Sequence, residues 1–353
     1  MDNPLQHDLD HILTHTQGLW EELRGKRIFI TGGTGFFGCW LLESLAWAND
    51  KLGLNAQAVV LTRNPAAFAR KVPHLASHRA IRCHVGDIRD FTFPSGRFSY
   101  VIHAATEASA RLNAENPLLM FETIVRGTWR ALDFAVQSGT KRFLLASSGA
   151  VYGRQPPEVT HVPESYQGAP DPTNPVSAYG EGKRTAELLC ALYAKHHGLE
   201  PTIARCFAFV GPYLSLDVHY AIGNFIRDAL KGGPITVNGD GTLSRSYLYA
   251  ADLTIWLWTV LIRGRPGAAY NVGSGRDLTI GQVASIVADC AEAGPVVIRK
   301  QPTQNSHAER YVPDVARAKS ELGLTVWVDL EEAIRRTVRH HNACGGAIHG
   351  GGL

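Results

Sequence analysis

The run Thr31-Gly32-Gly33-Thr34-Gly35-Phe36-Phe37-Gly38 leaves this chain few folds to choose from. It stands between a short β-branched run, residues 27–31, and an apolar-periodic segment, residues 37–52, so the local order is strand, glycine turn, helix. Glycine is needed there for a tight turn and for the removal of any Cβ that would hold a pyrophosphate away from the backbone. Gly38 would let the helix pack closely on the strand. The backbone N–H groups and the helix N-terminus that follow are suited to an anion.

The alternation continues along the chain. Strands are expected at 57–62, 80–85, 99–103, 141–147 and 202–207, with helical segments at 117–138 and 177–197. Strands alternating with helices imply a doubly wound parallel α/β sheet covered on both faces. Beyond Phe207 the pattern loosens into loops rich in Pro and Gly among helical segments at 221–231, 252–263, 280–290 and 330–341, which suggests a smaller mixed C-terminal lobe. The expected organisation is a helical extension at 1–25, a dinucleotide-binding domain at 26–207, a mainly substrate-binding lobe at 208–343 with one or two segments returning to the sheet, and a flexible tail at 344–353.

Charge narrows the partners. Thirty-five Lys and Arg against 32 Asp and Glu give a net charge of +3, too little for a nucleic-acid binder, and 45% hydrophobic residues argue against disorder. The six cysteines form no Cys-x-x-Cys pair and no His cluster has metal-ligand spacing, so no metal is expected and a reducing cytoplasm fits. The longest apolar stretch, around residues 255–262, is far short of the roughly 18 residues of a membrane span. The N-terminus shows no secretory signal.

Two further constellations carry chemistry. Tyr179 and Lys183 in Tyr179-Gly180-Glu181-Gly182-Lys183 lie four apart, which on a helix puts phenol and ammonium on one face; a nearby ammonium would lower the phenol's pKa toward neutrality. Ser147-Ser148-Gly149-Ala150-Val151-Tyr152-Gly153 closes a buried strand at its carboxyl end, where open α/β sheets place their ligands.

In this order the three motifs resemble the extended short-chain dehydrogenase/reductase superfamily, in its NAD-dependent nucleotide-sugar epimerase/dehydratase branch, over about residues 26–341. Thr31 to Gly38 resembles that family's TGxxGFxG loop, His103-Ala104-Ala105 its HxAA strand end, Ser148 its catalytic hydroxyl and Tyr179 with Lys183 its YxxxK pair. The resemblance implies a Rossmann sheet and a catalytic set of Ser148, Tyr179 and Lys183. It further implies cofactor contacts from Gly32, Gly35, Phe36, Phe37, Asp87, Ile88, Ala104 and Ala105, and substrate contacts from Glu107, Ser148, Arg245 and Arg310, the two arginines gripping the diphosphate. A homodimer through the helices around residues 121–134 and 179–192 is also implied.

Four departures from the family pattern bear on the reaction. Gly149 and Ala150 stand where 4,6-dehydratases carry an acid pair, Ile124 and Ala208 replace two asparagines, and Thr62-Arg63 closes the second strand without a carboxylate. The cofactor is NAD or NADP, with Arg63 tilting toward the 2′-phosphate of NADP. The leading expectation is a nucleoside-diphosphate-sugar epimerase acting at C4 by transient hydride transfer. An NADPH-dependent 4-keto-sugar reductase is the alternative, a 4,6-dehydratase comes third, and a non-catalytic dinucleotide-binding scaffold is the reading from a different class. The aromatics of Ile255-Trp256-Leu257-Trp258 are expected in helix packing, and His196-His197 and His340-His341 at solvated helix ends.

Overall fold

The computed structural model describes residues 3–106, 110–217, 220–301 and 309–345. Glu107 and the tail beyond residue 345 lie outside the described residues.

Seven strands form the central sheet: β1 (Arg27–Thr31), β2 (Gln57–Thr62), β3 (Ile81–Val85), β4 (Tyr100–His103), β5 (Arg142–Ser148), β6 (Glu200–Cys206) and β7 (Ala269–Val272). All pairings are parallel and the spatial order is β3-β2-β1-β4-β5-β6-β7. The chain therefore starts mid-sheet, winds to one edge and returns to build the other, which leaves a crevice outside the carboxyl ends of β1 and β4. Ile28 and Ile30 join one core with Val60, Ile102 and Leu144, while Phe29, Val59, Val101 and Phe143 join a second on the opposite face. That alternation, buried on both sides, explains why these strands read as continuous apolar runs.

Five helices frame the sheet: α1 (Gln6–His15), α2 (Phe36–Leu52), α3 (Pro117–Gln137), α4 (Ala178–His197) and α5 (Ala250–Arg263). The α3 and α4 helices share the face of Phe29; Ile124 on α3 meets α4 at Gly182, where an added Cβ would stand 3.1 Å from Ile124 Cδ1. Ile124 thus replaces an expected asparagine by packing two helices together. On the other face α2 and α5 carry Trp40, Trp256 and Trp258 into the core, as expected for the 255–258 aromatics. The N-terminal helix expected before Lys26 covers α2 and α5 with Leu9 and Ile12, and Trp20 lies 5.3 Å from Trp258, ring to ring.

Between β2 and β3 the chain makes two short helices, Pro65–Lys71 and Pro73–Ala76, each opened by a proline whose missing N–H costs nothing in a first turn. After β6 come three small sheets. Phe209–Val210 pairs Leu248–Tyr249, Ile235–Val237 pairs Val296–Ile298, and Ser244–Arg245 lies between Leu278–Thr279 and Arg310–Tyr311. The last helix runs from Leu330 to Gly345, past the expected end, so His340 and His341 are half-buried and burial lowers both pKa values. They are not the solvated helix end expected; His196 and His197 are exposed.

The turn between β1 and α2 is packed backbone against backbone. A Cβ on Gly38 would stand 2.3 Å from Gly33 Cα and 2.4 Å from Gly32 O, whereas Gly267, also a turn glycine at φ +78°, has open space around it. Gly38→Ala is expected to lose about 2–3 kcal/mol in urea unfolding through overpacking, and Gly267→Ala about 1 kcal/mol through backbone strain alone. Equal losses would show that α2 is free to move off the turn.

Candidate active site

A cavity of about 1310 Å³ opens at the carboxyl end of the sheet. One wall is the glycine turn: Gly32, Gly35, Phe36 and Phe37. Gly32 has φ +72° and a Cβ there would lie 2.5 Å from Ala104 O, so no other residue fits. Gly35 is the N-cap of the 17-residue α2 and has no side chain to cap it, which leaves the first N–H groups of the helix facing the cavity. A Cβ on Gly35 would project with only Gly32 O near it, at 3.3 Å. Backbone donors in a recess kept clear of side chains fit the pyrophosphate of a dinucleotide.

Facing the turn, Ser148 at the end of β5 and Tyr179 and Lys183 on α4 line the same cavity. The four-residue spacing does put phenol and ammonium on one helical face, with Lys183 Nζ 5.9 Å from the centre of the Tyr179 ring. Lys183 is 4% exposed and donates to Thr106 Oγ1 and to Ala146 O, both at 2.8 Å. Burial lowers its pKa to about 8, against a pull upward from Cys206 and Glu187. Tyr179 behaves otherwise than expected. Burial pushes its pKa well above the usual tyrosine value, and the counter-pull comes from a hydrogen bond to Ser148 rather than from Lys183. The amine is engaged by its two oxygen partners, Thr106 and Ala146, while it stands over the Tyr179 ring.

Several polar contacts fix this wall. Asn113 Oδ1 accepts from Tyr179 N at 3.1 Å and its amide donates to Val176 O. Arg205 on β6 meets Glu187 on α4 at 2.6 Å, and Ser147 donates to the same carboxylate, so α4 is tied to β5 and β6 one turn beyond Lys183. His103, fully buried, sits between Thr31 Oγ1 (2.8 Å) and Thr128 Oγ1 (3.1 Å), joining β1, β4 and α3 behind the turn.

Other candidate residues lie elsewhere. Ala104 is in the cavity wall, but Ala105 turns its N–H to Thr31 Oγ1 at 3.2 Å. Ile88 is buried against Gly127, and Asp87 forms a bidentate pair with Arg89 whose hydrogen bonds lower the carboxyl's pKa. Arg63 is exposed; it and these three residues are outside the cavity lining. Arg245 lines the cavity, whereas Arg310 does not. Pairing aligns Tyr311 with Arg245 and Arg310 with Ser244, so alternation turns the Arg310 guanidinium to the opposite face, 2.8 Å from Asp277. The expected arginine pair on a diphosphate is therefore corrected; Arg227 and Arg299 are the other guanidiniums lining this cavity.

The family model for the NAD dependent epimerase/dehydratase family matches residues 28–273. The chain belongs to that family. It is an enzyme of the nucleotide-sugar branch of the extended short-chain dehydrogenases/reductases, and the family's cofactor is NAD. UDP-glucuronic acid decarboxylase 1 of Xenopus tropicalis is 32% identical over 316 residues, 89% of this chain and 72% of that protein. UDP-glucuronic acid decarboxylase 3 of Arabidopsis thaliana is 32% identical over 87% of this chain and 86% of its own. Among solved structures, a dTDP-glucose 4,6-dehydratase from Streptomyces venezuelae with NAD bound is 28% identical with a TM-score of 0.77, covering 91% of this chain and 98% of its own. The UDP-glucose 4-epimerase of Thermus thermophilus, in complex with NAD, gives 27% and 0.73, covering 90% and 99%.

Of the departures from the family pattern, Ala150 and Ala208 line the cavity, while Ile124 packs between α3 and α4 and Arg63 is exposed outside the lining. Gly149 and Ala150 place no acid or base beside Ser148. Sequence reasoning overlooked Thr106, Asn113 and Tyr311. Thr106 was one step beyond a quoted motif, but Asn113 and Tyr311 arrive from distant segments that carry no local signal.

Burial, helped by Lys183, pushes the His103 pKa down to about 3. The folded protein keeps the ring neutral where the unfolded chain, near 6.5, takes up a proton. Its contribution is therefore whole above pH 6.5 and declines as the pH falls toward 3, by up to about 1.4 kcal/mol per pH unit. His103→Gln is expected to flatten this part of the curve in urea unfolding at pH 7 and pH 5. An unchanged slope would assign the acid sensitivity to another group.

Proposed function

We propose that this enzyme oxidises C4 of a nucleoside-diphosphate hexose and returns the hydride to the same carbon, acting as a 4-epimerase. The observation that carries this reading is that Ser148, Tyr179 and Lys183 share one cavity with the glycine turn. When bound, the nicotinamide would supply the hydride acceptor and donor. Tyr179, once ionised, takes the proton of the C4 hydroxyl and later restores it, Ser148 holds the same oxygen, and Lys183 would hold the nicotinamide ribose. The absence of a carboxylate at Gly149 or Ala150 argues against elimination of water once the 4-ketone exists. Arg245, with Arg227 and Arg299, supplies guanidiniums for the diphosphate.

A second reading has support in the relatives. UDP-glucuronic acid decarboxylases are 32% identical to this chain, and a hexuronic acid oxidised at C4 is a β-keto acid that can lose carbon dioxide without an added acid pair. A third, the NADPH-dependent 4-keto-sugar reductase, rests on Arg63 at the end of β2. Incubating the purified enzyme with UDP-glucose, dTDP-glucose and UDP-glucuronic acid, with NMR of the products and identification of the released dinucleotide, separates them. Epimerisation should give a C4-inverted sugar with retained NAD. Loss of carbon dioxide from UDP-glucuronic acid would replace the epimerase by the decarboxylase, and release of NADP would favour the reductase. Tyr179→Phe should lower turnover by about 10²–10⁴-fold while dinucleotide binding persists; full activity would remove the tyrosine from the mechanism.

We also infer a homodimer built on α3 and α4. Leu118 (76% exposed), Trp129 (53%) and Leu188 (59%) present apolar surface on these adjacent helices. Trp129→Glu with Leu188→Glu should shift sedimentation from dimer to monomer; a monomeric parent protein would overturn the inference. No helix among the described residues is long and apolar enough to cross a membrane, and the free thiols of Cys39, Cys83, Cys190, Cys206 and Cys290 support a reducing, cytoplasmic setting.

A further inference from the structure

The residue after the catalytic-site serine is a glycine, and the structure shows what occupies the space. A Cβ on Gly149 would meet Phe207 Cζ at 2.7 Å and the hydroxyl of Tyr311 at 2.8 Å. A side chain at 149 and the Tyr311 hydroxyl therefore exclude one another. Tyr311 arrives from the far end of the chain on the short strand Arg310–Tyr311, and its ring is pinned from two sides. Phe207 packs against it at 4.6 Å between centroids, and the Arg245 guanidinium lies 5.6 Å over it. Held this way, its hydroxyl reaches Ser148 Oγ at 3.3 Å and Cys206 O at 3.4 Å.

Resting on the proposed function, we propose that Tyr311 is a positioning residue that sets which way the Ser148 hydroxyl points, in a hydroxyl chain running Ser148–Tyr311–Cys206 O whose Ser148 end shares the cavity with Tyr179. The polarity of this chain follows from its ends. The Cys206 carbonyl only accepts. When Tyr311 donates to it, the Tyr311 oxygen accepts from Ser148, and Ser148 accepts from Ala150 N at 3.2 Å and has a lone pair left for a protonated Tyr179. When Tyr179 has lost its proton it must accept instead. Ser148 then donates toward the phenolate, and Tyr311 leaves the carbonyl to donate to Ser148. Both hydroxyls only rotate, and no covalent bond changes at Ser148 or Tyr311. The carbonyl is the resting place of the Tyr311 proton in one state, which lets the chain reverse without stranding a buried donor.

The titratable and charged groups facing this chain are Lys183 from α4, Cys206 from β6, Tyr152 from the turn after β5, Arg245 from the neighbouring short strand and Tyr220 from the segment before the helix Ala221–Leu230. Lys183, Cys206, Tyr152 and Arg245 make their described contacts elsewhere than at Ser148. Tyr311 is thus the group placed to stabilise Ser148 as a donor to the ionised Tyr179.

Tyr311→Phe keeps the ring between Phe207 and Arg245 and removes only the hydroxyl. In the NAD-loaded enzyme, kcat is expected to fall about tenfold, the scale of one lost hydrogen bond, with the nucleotide-sugar KM little changed. The limb of the pH profile governed by Tyr179 should move up by about one pH unit. A purely structural role would instead lower the unfolding midpoint and leave the limb in place, which would overturn the inference. A second measurement does not depend on turnover. The ¹³Cζ resonance of Tyr179, assigned by its loss in Tyr179→Phe, is followed with pH in NAD-loaded protein with and without the Tyr311 hydroxyl. A higher midpoint in Tyr311→Phe supports the hydroxyl chain, and the same behaviour in both proteins overturns it. Failure of every nucleotide sugar to turn over would count against the proposed function alone, since the resonance still decides the role of Tyr311.

Discussion

Two stretches of backbone touch with no side chain between them. Gly32 rests against the carbonyl of Ala104, and Gly38 against Gly33, each so closely that a single methyl group would collide. This contact sets the start of α2, aims its uncapped N–H groups at the cavity and brings the ends of β1 and β4 together. His103 reinforces the arrangement from behind by bridging Thr31 and Thr128. The dinucleotide recess is thus defined by atoms that are absent, the Cβ atoms of glycine, and held by a buried polar bridge that keeps the strands in register.

The opposite wall is organised around a buried ammonium. Lys183 is shielded from water and finds its compensation in a backbone carbonyl, a threonine hydroxyl and the nearby carboxylate of Glu187, itself paired with Arg205. Burying a charge is tolerable only with such partners. The amine keeps these partners while standing 5.9 Å from the centre of the Tyr179 ring, and the phenol is governed first by burial and then by Ser148. Acid–base behaviour at this site therefore belongs to a connected set of groups, and no pair of residues can be considered alone.

Most of the fold was legible in the sequence because β-strands buried on both faces and helices with one apolar face write their periods directly into the chain. The strands at 27–31 and 57–62 and the helices at 36–52, 117–137 and 178–197 lie within a residue of their expected positions. What escaped was short: the helices Pro65–Lys71 and Pro73–Ala76, and the position of β7, a segment expected to return to the sheet whose four residues become strand only because β6 offers them an edge. The site divides likewise. Gly32, Gly35, Phe36, Phe37, Ala104, Ser148, Tyr179 and Lys183 converge on one cavity, since each follows a strand or opens a helix where position in the chain implies position in space. Arg310 and Tyr311 show the limit. They are adjacent in sequence, yet strand alternation sends one to Asp277 and the other to Ser148.

The sequence by itself determined the parallel sheet, the glycine turn between β1 and α2 and the helical spacing of Tyr179 and Lys183, because these depend on local period and on residue type at a fixed offset. Only the tertiary structure decided that Lys183 is held by Ala146 and Thr106, that Arg310 is excluded from the cavity and that Tyr311 fills the space left by Gly149. Those outcomes depend on which distant segments meet, and a hydrogen bond of about 3 Å between residues tens of positions or more apart leaves no mark in the local pattern of either one.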